Sequence, residues 1–292
     1  MELIVDDQAP IHVSGREHAL TGTAAAAQEA VRLALDCEEL GWDGYWAAVD
    51  PGTVRHSHML TAMASAAATI TGSIRVGTGL VLPEDGGPVR GAAGFMSLAH
   101  LHPRRTDLIV ATDPDAAHGT PFPGPRLTAL LAALRYEDVH GSPTAPPRIW
   151  LTGQRAEDAA VAAAYGLPFC LELPADHLPR PDFLDHYRKF CRTEAGPGAP
   201  RVALALRIAC ADNPDEAAAL QALLAWAEPP TATARPRTLV GTPDRIRPHL
   251  AHLLDLYRPD TLAVSTPCPD HALRIRSYTL VQDLVTGLRP AP

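Results

Sequence analysis

Histidine and carboxylate side chains lie together just after the second apolar strand that the sequence predicts. Asp50 ends this strand, and His56 and His58 follow within the next loop. Imidazole and carboxylate groups exchange protons near neutral pH, and both bind metal ions. The alternative is a solvated loop with His58 at the start of the following helix. Because His-x-His alone is a weak metal signal and no zinc-type spacing accompanies it, the sequence predicts candidates for proton transfer and no metal site.

Asp113 ends the fourth predicted strand in the same way as Asp50 ends the second. In barrels of parallel strands, catalytic groups come from the carboxyl ends of several strands. Either carboxylate can therefore act as a general base or anchor a cationic substrate. Each can equally cap the amino terminus of the helix that follows it. The candidate catalytic set from the sequence is Asp50, His56, His58 and Asp113.

A candidate anion site follows the fifth predicted strand, where Gly153, Gln154 and Arg155 precede an alanine-rich helix. Backbone amides at a helix start and a guanidinium are the groups that hold a phosphate. The other predicted strand ends are acidic, and two like charges about 4 Å apart repel by roughly 4 kcal/mol at an effective dielectric near 20. The acids of this predicted rim are Asp6, Asp7, Asp50, Glu84, Asp85, Asp113, Asp115 and Glu172.

Eight apolar segments that are typical of strands alternate with segments of helical periodicity along the chain. The strands are predicted at 3–5, 44–50, 74–82, 106–112, 148–152, 169–173, 202–210 and 261–266. This alternation predicts one (β/α)8 barrel, an α/β TIM-barrel fold, with residues 1–292 forming a single domain. In the seventh strand, Arg207 is expected to point into the barrel and to pair with Glu172. This pair is either a structural ion pair or a clamp for a substrate carboxylate.

Composition indicates an ordinary globular chain of 292 residues, with 46% hydrophobic and 20% charged residues. The net charge of -8 argues against nucleic acid or an anionic membrane surface as a partner. No apolar run approaches the roughly 20 residues that cross a bilayer, and the first residues lack the basic start of a signal peptide, so we expect a cytoplasmic protein. The five cysteines are scattered, never in Cys-x-x-Cys spacing, and are predicted to be reduced thiols.

The order of seven sequence blocks resembles the bacterial-luciferase-like flavin monooxygenase superfamily over nearly the whole chain. The blocks are DQAP at 7–10, EELGWDGYW at 38–46, IRVGTG at 74–79, LHPRRTDL at 101–108, AAYGLPF at 163–169, VGTP at 240–243 and DHALRIRSY at 270–278. The resemblance implies a luciferase-like barrel that uses FMN or reduced FMN to oxidise a small organic substrate. It also implies a separate flavin reductase, and pairing of barrels as a homodimer or as a heterodimer with a related subunit.

Three positions depart from what the resemblance implies for the cofactor site. Family members usually carry Glu-His-His after strand two, where this chain has Val49-Asp50-Pro51. After strand four, the family's Gly-Arg-Ala-Pro-Gly is matched by Ala-Thr-Asp-Pro-Asp at 111–115. After strand five, where the family has a serine-rich turn toward the flavin phosphate, the segment 153–158 puts an acid in place of a serine. The alternative function is therefore a flavin-free barrel, either a non-redox enzyme or a non-catalytic partner subunit.

Overall fold

The computed structural model describes residues 1–7, 19–47, 57–81, 88–111, 124–141, 147–174, 177–191, 200–227, 238–268 and 270–288. Its strands are β1 (Glu2–Asp7), β2 (Gly44–Ala47), β3 (Arg75–Val81), β4 (Thr106–Ala111), β5 (Arg148–Gly153), β6 (Phe169–Glu172), β7 (Val202–Cys210), β8 (Thr238–Gly241) and β9 (Thr261–Ser265). Its helices are α1 (Ala19–Leu40), α2 (Ser57–Ile70), α3 (Pro88–Leu101), α4 (Gly124–Gly141), α5 (Ala156–Tyr165), α6 (Asp182–Phe190), α7 (Pro214–Ala227), α8 (Pro243–Tyr257) and α9 (His271–Thr286).

Eight parallel strands close into a ring, which confirms the predicted (β/α)8 barrel. Pairing runs from β1 through β2 to β7, and β9 completes the ring by pairing with both β7 and β1. The register places Val5 beside Tyr45 on one side and beside Val264 on the other. The strand predicted at 261–266 is therefore β9, the last strand of the ring.

A ninth strand, β8, was absent from the sequence prediction. It pairs with the carboxyl half of β7, where Arg207 to Cys210 lie beside Thr238 to Gly241. The amino half of β7 pairs instead with β9. A four-residue strand next to a proline-rich segment carries too little apolar periodicity to be recognised, so the prediction of eight strands was incomplete.

Side chains of the strands alternate between the interior of the barrel and the layer of helices around it. Leu3 and Val5 pack outward in the large core between strands and helices, whereas Ile4 points inward. The inward cluster fills the middle of the barrel with two indoles and small residues: Ile4, Trp46, Trp150, Cys170, Ala203 and Ala263. The rings of Trp46 and Trp150 lie with their centroids 5.5 Å apart at an interplanar angle of 57°.

An ion network closes the amino-terminal end of the barrel beneath these indoles. Asp107 is fully buried and accepts hydrogen bonds from Trp46 Nε1 at 3.1 Å, from Arg148 Nε at 3.0 Å and from Arg75. Burial raises the pKa of Asp107, but the charges of Arg75 and Arg148 outweigh it, so the pKa is lowered overall. Glu2 extends the network because its carboxylate contacts Arg148 at 3.0 Å. The structure thus excludes solvent from this end by paired charges.

The last helix is tied to the first strand by a buried cluster outside the ring. Asp7 accepts hydrogen bonds from Tyr45 Oη at 2.9 Å and from Arg274 Nη1 at 3.0 Å. Both Asp7 and Arg274 are almost completely buried, so each charge compensates the other. In the part of the chain that the structure describes, no helix has the length and apolar character needed to span a membrane.

Candidate active site

A polar layer of side chains lies at the carboxyl ends of the strands, one inward-facing step beyond the Trp46–Trp150 pair. Strand alternation points these side chains into the barrel mouth. We call this set the mouth layer, and it comprises Asp6 on β1, Thr152 on β5, Glu172 on β6, Arg207 on β7 and Ser265 on β9. Four of them are buried and Glu172 is half-buried. A buried layer of acids, hydroxyls and one guanidinium is unusual in a barrel core and typical of a site.

Hydrogen bonding and strand register show which residues of the mouth layer lie close together on neighbouring strands. Thr152 Oγ1 donates a hydrogen bond to Glu172 Oε1 at 2.7 Å. Thr152 lies beside Cys170 in the pairing of β5 with β6, and Arg207 lies beside Ser265 in the pairing of β7 with β9. The predicted pairing of Arg207 with Glu172 remains a prediction. Arg207 does point inward, as predicted, and is 5% exposed.

The thiol of Cys170 reports the electrostatic character of the mouth layer. Burial raises the pKa of Cys170 well above its ordinary value, and the nearby charges of Glu172 and Asp6 raise it further. Cys170 is therefore a neutral thiol rather than a nucleophile.

The predicted catalytic residues fall mostly on segments beyond the described ranges. Asp50, His56 and Asp113 lie outside the described residues, as do Glu84, Asp85 and Asp115 of the predicted rim. His58 occupies the first turn of α2, and its side chain is likewise not described. Their proposed roles remain predictions.

Asp7 does not contribute charge to the mouth, in contrast to the prediction of a uniformly acidic rim. Its position on β1 alternates with that of Asp6, so its side chain turns outward to Arg274 and Tyr45. The paired guanidinium neutralises this carboxylate. In the part of the rim that is described, Asp6 and Glu172 carry the acidic character.

The predicted anion site at the start of α5 is occupied by a carboxylate from the same helix. Asp158 Oδ2 accepts hydrogen bonds from the backbone N–H groups of Gln154 and Arg155, both at 3.2 Å. Arg155 Nη2 donates to Asp158 Oδ1 at 3.2 Å, and this hydrogen bond raises the pKa of Arg155. Asp158 is 3% exposed. The amides and the guanidinium that the sequence assigns to a phosphate are therefore already bonded to an internal anion.

Two other helix starts at the carboxyl ends of strands are capped by their own side chains. Asn213 Oδ1 accepts from the N–H groups of Asp215 and Glu216 at the start of α7. Asp270 Oδ1 accepts from the N–H of Leu273 at the start of α9. At the start of α8, the side chain of Thr242 makes no capping hydrogen bond, and Pro243 follows it. Proline has no N–H group, so this start also offers one amide fewer.

Sequence reasoning missed Thr152 and Ser265 of the mouth layer and all residues of the ion network below the indoles. Arg75, Asp107 and Arg148 each stand at the first or second position of an apolar strand. A charged residue at that place in several strands is a signal for a shared interior layer, because equivalent positions in a barrel meet at one level. Across the described ranges, no group of three or more His, Cys, Asp or Glu residues is arranged to hold a metal ion.

The model of the family described as luciferase-like monooxygenase matches residues 9–279. The chain belongs to this family. No curated protein matches the chain significantly. Among solved structures, apo-MsnO8 is 25% identical, with a TM-score of 0.73 and 99% of each chain covered.

Two more luciferase-like structures share the fold at lower identity. Monooxygenase RslO1 from Streptomyces bottropensis is 18% identical, with a TM-score of 0.72, and covers 98% of this chain and 99% of its own. The oxygenating constituent of 3,6-diketocamphane monooxygenase from Pseudomonas putida, solved in complex with FMN, is 16% identical. Its TM-score is 0.67, with 100% of this chain and 99% of its own covered. The expected luciferase-like fold and family are thereby confirmed.

Proposed function

We propose that this luciferase-like protein is an oxidoreductase of the monooxygenase type, which uses a flavin at the barrel mouth to oxidise a small organic substrate. The observation that carries the proposal is the mouth layer itself. In a member of this family, buried acids, hydroxyls and a guanidinium converge at the carboxyl ends of the strands, where barrels perform their chemistry. Reduced flavin would come from a separate reductase, and a homodimer or heterodimer remains the expected assembly.

The mouth layer supplies three kinds of group for a bound organic molecule. Arg207 presents a guanidinium that suits a carboxylate, a phenolate or a polarised carbonyl oxygen. Glu172, held by Thr152, and Asp6 are acceptors that can bind a hydroxyl or take up a proton. The indoles of Trp46 and Trp150 form an apolar floor below, which favours a substrate with an aromatic or alicyclic body.

The described part of the rim does not fit the phosphate of FMN at the start of α5. Asp158 fills that position, and its negative charge opposes a phosphate dianion. We therefore assign no step and no phosphate contact to these residues. The proposed flavin would contact the mouth layer through parts of the molecule other than its phosphate.

Anaerobic titration of the purified protein with oxidised and reduced flavins tests the proposal. We expect micromolar binding of at least one flavin, followed by its absorbance and fluorescence. Glu172→Gln, which keeps the size of the side chain and removes its charge, should alter the spectrum of the bound flavin. Asp212→Asn, which makes the same change in an exposed pair with Arg276, should leave the spectrum unchanged. Absence of binding in both redox states overturns the proposal.

A flavin-free barrel is the second candidate, and the internal carboxylate at the start of α5 favours it. Because the chain's own carboxylate fills the anion position, a nucleotide-like cofactor would gain no phosphate contact there. In this case the mouth layer would serve non-redox acid–base chemistry, or the chain would act as a partner subunit. Failure of every flavin to bind, together with binding of small carboxylic acids that Arg207→Gln abolishes, would favour the non-redox enzyme. Co-purification with a related luciferase-like chain would favour the partner subunit.

A further inference from the structure

We infer that Asp158 occupies the phosphate position at the start of α5, so that the protein recognises a flavin without using its 5′-phosphate. The inference rests on the proposed flavin function and specifies the cofactor class further. It predicts that riboflavin and FMN bind the wild-type protein about equally. The hydrogen bonds and the packing of the Asp158 side chain support it.

Two backbone amides and the Arg155 guanidinium bond to the Asp158 carboxylate at this helix start. The N–H groups of Gln154 and Arg155 reach Oδ2, and Arg155 contributes Nε at 3.4 Å to Oδ2 and Nη2 at 3.2 Å to Oδ1. Two amides and a planar guanidinium are the donor set that a phosphate would take. The carboxylate therefore presents two oxygens to the same donors in place of a ligand's oxygens.

The space around Gly153 shows how closely the Asp158 side chain packs against the turn. A Cβ placed on Gly153 would lie 2.5 Å from both Cβ and Oδ2 of Asp158. The Asp158 side chain therefore lies directly on the backbone of the turn, and only glycine at 153 permits this. A phosphate drawn to the same amides would have to displace a nearly buried carboxylate from four hydrogen bonds.

The starts of α7, α8 and α9 are also poorly suited to bind a phosphate. At α7 and α9 the first-turn amides bond to Asn213 and Asp270, and α8 begins with a proline. The first turn of α5 also carries Glu157, a second acid close to the same position. Charge and hydrogen bonding at these starts therefore both oppose a bound dianion.

Three proteins test the inference: wild type, Asp158→Ser and the control Glu157→Ser. Asp158→Ser removes the internal carboxylate and leaves the amides and Arg155 free to bind an anion, whereas Glu157→Ser removes an exposed acid one residue away. Inorganic phosphate is the first probe, added at constant ionic strength while the unfolding temperature is measured. We expect a phosphate-dependent rise for Asp158→Ser and none for the other two proteins. The same response in all three proteins, or in none, overturns the inference.

Riboflavin and FMN are the second pair of probes, titrated in both redox states. For the wild type and Glu157→Ser, we expect dissociation constants that agree within about twofold. For Asp158→Ser, FMN should bind at least about tenfold more tightly than riboflavin. If the wild type prefers FMN about tenfold, the inference fails while the flavin function stands. If no flavin binds any variant, the flavin function fails, and the phosphate measurement then decides only whether Asp158 occupies the anion position.

Asp158→Asn covers the case in which the serine variant does not fold. Asparagine keeps an acceptor oxygen for the amides and removes the negative charge. We expect a shift of the FMN preference in the same direction as for serine, smaller in size, together with weak stabilisation by phosphate. A variant that folds and responds to phosphate and to both flavins like the wild type overturns the inference.

Discussion

Trp46 packs its indole into the space that Gly77 leaves by lacking a side chain. A Cβ on Gly77 would lie 2.8 Å from Cγ of Trp46 and 2.8 Å from Cδ1 of Ile109. Both neighbours are held in the barrel interior, so neither can move away freely. The glycine is therefore required by the close approach of an aromatic ring from the adjacent strand.

Gly77→Ala should destabilise the protein by about 3 kcal/mol, because the added methyl group overpacks the barrel interior. Gly72→Ala is the matched control, since a Cβ at that position meets no atom within 4 Å. Urea unfolding followed by circular dichroism measures both variants. Equal midpoints for the two variants would contradict the packing that we describe.

Asp107→Asn should cost about 3–5 kcal/mol, because it removes the buried counter-charge of Arg75 and leaves Arg148 paired with Glu2 alone. The same change in the exposed pair, Asp212→Asn, should have no effect outside the error of the measurement. The free energy of unfolding from urea titration gives both values. A small effect of Asp107→Asn would mean that water enters the amino-terminal end of the barrel.

The contribution of Glu38 to the free energy of unfolding should depend on pH over a defined range. Burial raises the pKa of Glu38, but hydrogen bonds from the N–H groups of Gly72, Ile74 and Ser73 outweigh it and lower the pKa from 4.5 to about 2. The folded pKa lies below the unfolded value, so the contribution is present above pH 4.5 and is lost as the pH falls toward about 2.

The difference in unfolding free energy between wild type and Glu38→Gln should therefore be constant above pH 5 and shrink below about pH 4.5. Parallel urea titrations across this range measure it. Glu39→Gln, at the neighbouring exposed position, is the control for the loss of one negative charge. A difference that is independent of pH would show that the hydrogen bonds do not depend on the charge.

Cys191 should be the first cysteine to react with iodoacetamide in the native protein. It is half-buried, whereas Cys37, Cys170, Cys210 and Cys268 are buried. Burial also raises the pKa of all five thiols, so reaction at pH 8 should be slow everywhere and limited by access. Mass spectrometry of partly labelled protein identifies the order. Early labelling of Cys170 would show that reagents enter the mouth as far as the indoles.

Much of the fold follows from the sequence because strands and helices alternate with clear apolar segments. The residues of the interior layers are harder to predict. They depend on which of the two alternating faces of each strand points into the barrel. Asp6 and Asp7 illustrate the difference: both were predicted on the rim, yet one faces the mouth and the other contacts Arg274 on the outside. Only the register of β1 against β2 and β9 separates them.

The anion position at α5 shows a second limit of prediction. The sequence reveals an acid at 158 where a hydroxyl is expected, and it reveals a basic residue at 155. It does not reveal that the two side chains bond to each other across the first turn, because an exposed acid at that position is equally compatible with the helical pattern. The predicted catalytic set at 50, 56, 58 and 113 remains a prediction, because Asp50, His56 and Asp113 lie outside the described residues and the side chain of His58 is not described.

The contact between Asp7 and Arg274 joins residues 267 positions apart. Together with the pairing of β1 and β9, it means that the first strand stays incomplete until nearly the whole chain is available. During synthesis, a nascent chain that lacks β9 and α9 would expose an unpaired strand edge and an uncompensated carboxylate. We therefore expect late, cooperative ring closure, which waits until both β9 and α9 have been synthesised.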